Sequence, residues 1–231
     1  MLETLGKKLI LTFRIAGVDI AFDLAAMAAA VGVTGALVGL AVWLRRGLPA
    51  DPEARPTRRA TFLAAAADFA HTQLLGGFSP RLARALLPLV TTIFLYVLLC
   101  NWVSVLPIPY LVSPTQDLNV TLGLALLVYA MAHVYGAHER GLGKHLRSYL
   151  EPYPFLLPMN LVGDFGRTLS HAFRLFGNVL GGAILTAVIT AKFAPVVLPV
   201  GLHMFFDLFV GGIQALVFAL LASTYINIAV E

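Results

Sequence analysis

The chain has 231 residues, of which 59% are hydrophobic and only 12% charged, with a mean hydropathy of +0.85. A soluble domain carries about a quarter charged residues, so this composition excludes one and predicts an integral membrane protein. The net charge of +4 sits mostly in loops and speaks to membrane orientation, not to nucleic-acid binding.

The N-terminus carries Lys7 and Lys8, but its apolar stretch is broken by Arg14, Asp19 and Asp23, so no cleavable signal peptide is expected. The first span is Leu24–Leu44, closed by Arg45 and Arg46. A proline- and arginine-rich linker follows, GLPADPEARPTRRA. Residues 61–75, alanine-rich with Asp68, His71 and Gln73, suit a short interfacial helix. A second span runs from about Ala85 to Leu106, with Pro88 near its start, and a third from about Leu118 to Ala137. Between them PIPYLVSPTQ has no positive charge. HERGLGKHLRSYLEPYP reads as a loop. Two long segments close the chain, roughly 160–192 and 200–229, separated by FAPVVLP. About 30 helical residues reach roughly 45 Å, beyond a hydrocarbon core of about 30 Å, so both are expected to tilt strongly.

The expected fold is all-α: five membrane helices plus the interfacial one, in a single membrane domain. Its parts are residues 1–60 (first span and basic linker), 61–150 (interfacial helix and hairpin) and 151–231 (tilted pair). Arg45, Arg46, Arg55, Arg58 and Arg59 mark one basic loop, and Arg140, Lys144 and Arg147 another. By the positive-inside rule both are cytoplasmic, residues 107–117 face outward, and five crossings put the N-terminus outside and the C-terminus inside. The N-terminal Lys7, Lys8 and Arg14 pull the other way.

Arg174 is the only charge in LSHAFRLFGNVLGGAILTAVIT, residues 169–190. A guanidinium stays protonated, and at the bilayer centre it costs at least about 2.5–3.5 kcal/mol on insertion scales. It therefore calls for an anionic partner. At 100° per residue Arg167, His171, Arg174, Asn178 and Gly181 share one stripe, and Gly177 and Gly181 form a small-residue pair that admits another backbone. Snorkelling is the competing use of Arg174, weakened by its depth in the segment.

In the final segment His203, Asp207 and Gln214 lie within about 40° of one another. Asp207 is the only acid between Asp164 and Glu231. A carboxylate and an imidazole on one face can relay protons; interhelical hydrogen bonding that only holds the bundle is the alternative. Asp117 and Asn119 open the third span, as a helix cap or an ion-entry point. Asn101 and Ser104 satisfy each other or a neighbouring helix, His133 reads as structural, and Asp164 and Arg167, spaced to pair at the inner boundary, read as a structural pair or an ion-entry point. The lone Cys100 excludes an intrachain disulfide, and neither a metal-ligand spacing nor a phosphate loop occurs. No cofactor is expected.

FRLFGN (173–178) preceded by GDFGRTLS (163–170), PTQDLNVTLGLAL (114–126) and GGIQALVFALLASTYI (211–226) together resemble subunit a of the rotary F-type ATP synthases, from about Leu86 to the end. The resemblance implies a stator in the Fo sector of a bacterial plasma (inner) membrane, facing a ring of c subunits. Peripheral-stalk b subunits, the F1 sector and membrane lipid would be its other partners. It implies two ion half-channels separated by Arg174, with Asn178 and Gln214 as polar neighbours and His203, Asp207 and His171 along the ion pathway. Arg174 would attract a rotor carboxylate and force ion exchange; the chain alone would catalyse nothing. Ala183 departs from relatives that carry an acid or histidine nine residues after the arginine, and Gly163 and Thr168 replace a frequent glutamate and proline. Proton and sodium both remain open as coupling ions. The alternatives are a stand-alone secondary transporter binding an anionic substrate at Arg174, against which the absence of an inverted repeat counts, and a membrane scaffold.

Overall fold

The computed structural model describes residues 10–15, 18–48, 57–105, 113–150, 153–192 and 201–230. Lys7 and Lys8, most of the proline-rich linker, most of the loop 107–117 and the FAPVVLP connector lie outside them. Among the described residues five helices are long and apolar enough to cross a membrane. They are α1 (Leu24–Arg45), α3 (Pro80–Trp102), α4 (Leu118–Arg140), α6 (Leu157–Lys192) and α7 (Gly201–Val230). The alanine-rich stretch expected to lie at the interface is the helix α2 (Arg58–Leu74). An all-α membrane protein is the result, as the apolar runs predict.

Two elements correct the sequence reading. A short antiparallel ribbon precedes α1, β1 (Ile10–Ile15) paired with β2 (Val18–Asp23), with Ile10 opposite Asp23. The stretch read as loop after α4 contains α5 (Leu142–Ser148). It starts at Gly141, whose φ of 82° lies in a region that only glycine enters cheaply, which lets the chain break from α4 and restart.

Side chains set the other helix starts. Asp23 Oδ1 accepts from the Ala25 and Ala26 amides, Thr57 Oγ1 from Ala60 and Ser79 Oγ from Leu82, with Pro80 just behind. Asp117 Oδ1 takes the Asn119 amide at 2.8 Å. Pro88 removes one amide inside α3, and Thr92 Oγ1 donates to its carbonyl at 2.6 Å.

The bundle packs around α7, which lies most extensively against α3 and α4; α6 docks mainly on α4. One core cluster joins Leu86 and Val90 to Ile226, and a second joins Val97 and Val128 to Leu175 and Ala222. Close approach depends on glycine at two places. A Cβ on Gly136 would meet Ala229 O at 2.6 Å, and one on Gly211 would meet Asn101 Cβ at 2.9 Å. Elsewhere large apolar side chains such as Val31, Ile184 and Val188 are exposed, as lipid- or partner-facing surfaces are. Helix association in lipid draws on such close packing and on interhelical hydrogen bonds, not on burial from water.

Candidate functional site

Arg174 lies midway along α6 and is exposed, as are Gly177, Asn178 and Gly181. Among the described residues nothing outside the helix approaches a Cβ built on Gly177 or Gly181 within 4 Å, so the small pair lies open to them beside the cation. Among the described residues no carboxylate lies within ion-pair distance of Arg174; the ion pairs are elsewhere. A guanidinium this far along a membrane helix, on a flat polar stripe and without an internal counter-charge, is complementary to an anion carried by another molecule.

His171 does not share that face. It is 2% exposed, its ring lies against Phe218 at 3.8 Å and Tyr225 at 5.4 Å between centroids, and neither ring nitrogen has a hydrogen-bond partner among the described residues. The ideal-helix stripe had grouped it with Arg174. The neighbouring helix decides otherwise, because α7 covers the side on which His171 and Leu175 lie. The two residues still meet at one narrow crevice, lined by His171, Arg174, Gln214 and Phe218. Gln214 also lines a neighbouring shallow cleft with Asn178, Asp207 and Asn101. Arg174, Asn178, Gln214 and Asp207, widely separated in sequence, thus border two adjoining cavities.

Asp207 occupies a widened turn. Residues Met204–Val210 of α7 are π-helical, which frees carbonyls from the regular ladder. Trp102 Nε1 donates to Leu208 O at 3.1 Å and Asn101 Nδ2 to Gly211 O at 2.8 Å. Asn101 Oδ1 in turn accepts from Thr115 Oγ1 at 2.7 Å, and Ser113 Oγ lies 2.6 Å from that hydroxyl. Ser104 Oγ donates to the Asn101 carbonyl. Asp207 Oδ2 lies 2.7 Å from His203 Nδ1. Asp207 is 9% exposed and the His203 side chain 37%. A buried carboxylate is thereby joined to a histidine that reaches the surface.

At the opposite end of α6 a second polar group forms. Asp164 Oδ2 accepts from the Tyr149 hydroxyl at 2.7 Å, and the same hydroxyl is 2.6 Å from His133 Nε2. Arg167 Nη2 reaches Asp164 Oδ1 at 3.5 Å, the pairing expected from their spacing. His145 on α5 packs edge-on against His133 and Tyr149. Burial, then the hydrogen bond to Asp164 and its charge, push the Tyr149 phenol above its ordinary value, so it stays protonated and donates. Burial first, then His133 and Arg140, lower the His145 pKa below 6.5, against a smaller opposing pull from Asp164.

Asp117 and Asn119 stand apart from both cavities. Asp117 takes both the Asn119 amide and its Nδ2 at 3.0 Å, the geometry of a helix cap. Asn101 meets both partners its sequence position suggests, Ser104 and a neighbouring helix. Two participants escape the sequence reading: Tyr149 lies in an apparent loop, and His145 belongs to a helix too short to recognise.

The family described as ATP synthase A chain matches residues 25–227. The ATP synthase subunit a of Acidothermus cellulolyticus is 43% identical over 150 residues, 63% of this chain and 55% of that protein. That of Nitrosospira multiformis is 42% identical over 152 residues, 64% of this chain and 58% of that protein. The chain thus spans little more than half the length of these curated relatives.

Proposed function

The chain belongs to the ATP synthase A chain family, and from that premise we propose that it is the ion-conducting stator subunit a of the Fo sector. It faces a ring of c subunits and couples proton or sodium flow to ring rotation. The observation that carries this reading is Arg174: exposed, with no carboxylate among the described residues within ion-pair distance, and on a face opened by Gly177 and Gly181. The chain is a single membrane domain in the plasma membrane, bounded also by peripheral-stalk b subunits and linked through the holoenzyme to the F1 sector. The N-terminus lies outside and the basic loops face the cytoplasm. At roughly 1.5 Å per residue the 36 residues of α6 exceed the bilayer core, so α6 and α7 cross at a tilt against the ring.

The mechanism follows from charge. An ionised rotor carboxylate cannot cheaply cross lipid, but a guanidinium lets it pass. Arg174 attracts that carboxylate and favours its ionised form. The carboxylate must then reload from one half-channel before the ring carries it back into lipid. Asn178 and Gln214 supply uncharged hydrogen-bonding groups beside the cation. On the side of α7's start, His203 and Asp207 form one half-channel, in which the 2.7 Å bond hands a proton between ring and carboxylate. His171, buried at the Arg174 pocket, belongs to the other. The membrane potential supplies about 2.3 kcal/mol per charge per 100 mV, and the fixed cation opposes a direct leak between the half-channels.

Arg174→Ala tests the reading. The variant should co-purify with the c ring and lose ion-coupled ATP synthesis; normal coupled synthesis would overturn the assignment.

A further inference from the structure

His133, Tyr149 and Asp164 come from three separate segments and meet at the basic-loop end of the bundle. The Tyr149 hydroxyl stands between the other two, 2.6 Å from His133 Nε2 and 2.7 Å from Asp164 Oδ2. His133 Nδ1 lies 2.9 Å from the Tyr129 carbonyl oxygen. A carbonyl only accepts, so this nitrogen carries a hydrogen. The remaining contacts then admit two arrangements. With the hydroxyl hydrogen on Asp164, the Tyr149 oxygen accepts from His133 Nε2, so His133 is an imidazolium and Asp164 a carboxylate. With the hydroxyl hydrogen on His133 Nε2, Asp164 must be protonated and donate to Tyr149, and His133 is neutral.

The two arrangements keep the same heavy-atom positions. One converts to the other when the Nε2 proton passes to the Tyr149 oxygen as the Tyr149 proton passes to Asp164 Oδ2. One N–H and one O–H bond break, and two O–H bonds form. No electron is transferred, and Tyr149 is a phenol before and after. The imidazolium arrangement also places His133 Nε2 3.4 Å from Asp164 Oδ2, a favourable ion pair. The other titratable or charged groups facing the cluster are Arg167 on Asp164 Oδ1, the Tyr129 ring, 4.1 Å from that of His133 between centroids, His145, which packs on the His133 and Tyr149 rings, and Arg140 on the end of α4, whose charge is felt at His145. The His133 and Asp164 side chains are 29% and 19% exposed, so the cluster is not sealed within the bundle.

The inner end of this line also shows an open polar group. Asp164, Thr168 and His171 follow at intervals of four and three residues on α6, one face of a helix. Thr168 and His171 are buried, and both His171 nitrogens lack a hydrogen-bond partner among the described residues at the Arg174 pocket. Asp164 stands ten residues before Arg174, about 15 Å along the helix.

We propose that His133, Tyr149 and Asp164 form a proton relay, the port of the half-channel on the basic-loop side, which continues through His171 to Arg174. The proposal rests on the stator reading and adds to it a mobile ion, the proton, since a phenol bridging an imidazole and a carboxylate passes protons and offers no sodium cage.

The test uses the complete ATP synthase complex in oriented membrane vesicles, with ATP-driven proton pumping followed as pH is varied on the basic-loop side. Tyr149→Phe removes the bridging hydroxyl and no charge. Pumping should fall at least about tenfold, short of the roughly 10²–10⁴-fold carried by a positioned proton-transfer group in a reaction. Its dependence on basic-side pH should change, while dependence on the opposite side stays as in the parent. Parent rates with the parent pH profile in assembled Tyr149→Phe overturn the relay. Where that variant does not assemble, Asp164→Asn decides by the same criteria, because it keeps the acceptor oxygen and removes the titrating group. Arg174→Ala in the same preparation separates the two readings. If it still couples, the stator assignment falls; if it is inactive while Tyr149→Phe pumps normally, only the relay falls.

Discussion

The two ends of the α6–α7 pair hold the same two residue types in different geometry. At one end His203 and Asp207 are four residues apart on a single helix and bond directly at 2.7 Å. At the other, His133 and Asp164 sit on different helices and meet through the Tyr149 hydroxyl. A direct pair exchanges its proton within one helix and is oriented by the widened turn of α7; a bridged pair, in the relay proposed above, passes it from one helix to another. Arg174 lies between, about 15 Å from Asp164 along α6 and beside Gln214, which closes the cleft shared with Asp207. A fixed cation flanked by two titratable ends is what two separated half-channels require.

Breaking the centre should have the largest effect. Arg174→Ala should reduce coupled synthesis to background in vesicles, and Arg174→Lys should restore little of it, because an ammonium is a point charge without the planar fork that pairs with a carboxylate. Breaking one end should cost less. Asp207→Asn should lower proton pumping at least about tenfold and change its dependence on pH at the α7-start side, where Tyr149→Phe changes the basic side. If the two substitutions altered the same side, the two ends would belong to one path.

The scaffold beneath the first end gives a smaller effect. Asn101 is 1% exposed and satisfies both Gly211 O and Thr115 Oγ1. Asn101→Leu should destabilise the assembled subunit by about 1–3 kcal/mol, the cost of burying unpaired polar groups, read as a lower temperature of subunit release from the complex. The smallest effect concerns α5. His145 is buried and its pKa is depressed below 6.5. Its neutral form stabilises the fold above that ordinary value, and the contribution is lost as pH falls through the depressed value. Protection against hydrogen exchange across residues 142–148, taken relative to the intrinsic rate at each pH, should therefore fall as pH drops below about 6.5, and His145→Phe should flatten that fall.

The membrane helices were legible because each holds an apolar run of membrane length, and helix starts such as Asp117 announced themselves by residue type. Arg174, Asn178 and Gln214 were legible for a related reason: a polar group in an apolar run has few uses. What stayed hidden depends on neighbours. Periodicity alone put His171 beside Arg174, but packing of α7 turns it inward onto Phe218. The π-helical turn around Asp207 changes the register of α7 without a residue signature. Tyr149 gains its role only when α4, α5 and α6 converge, and α5 is a seven-residue helix too short to show an amphipathic pattern. The N-terminal ribbon was hidden by charges that read as interruptions of a span.

The measurement that tests the account most directly is proton flow in Arg174→Ala, alone and combined with Tyr149→Phe, in vesicles holding the complete complex. The account predicts that Arg174→Ala ends coupled ATP synthesis yet leaves a passive proton leak through the joined half-channels, and that adding Tyr149→Phe closes the leak. Coupled synthesis at the parent rate in Arg174→Ala would contradict it.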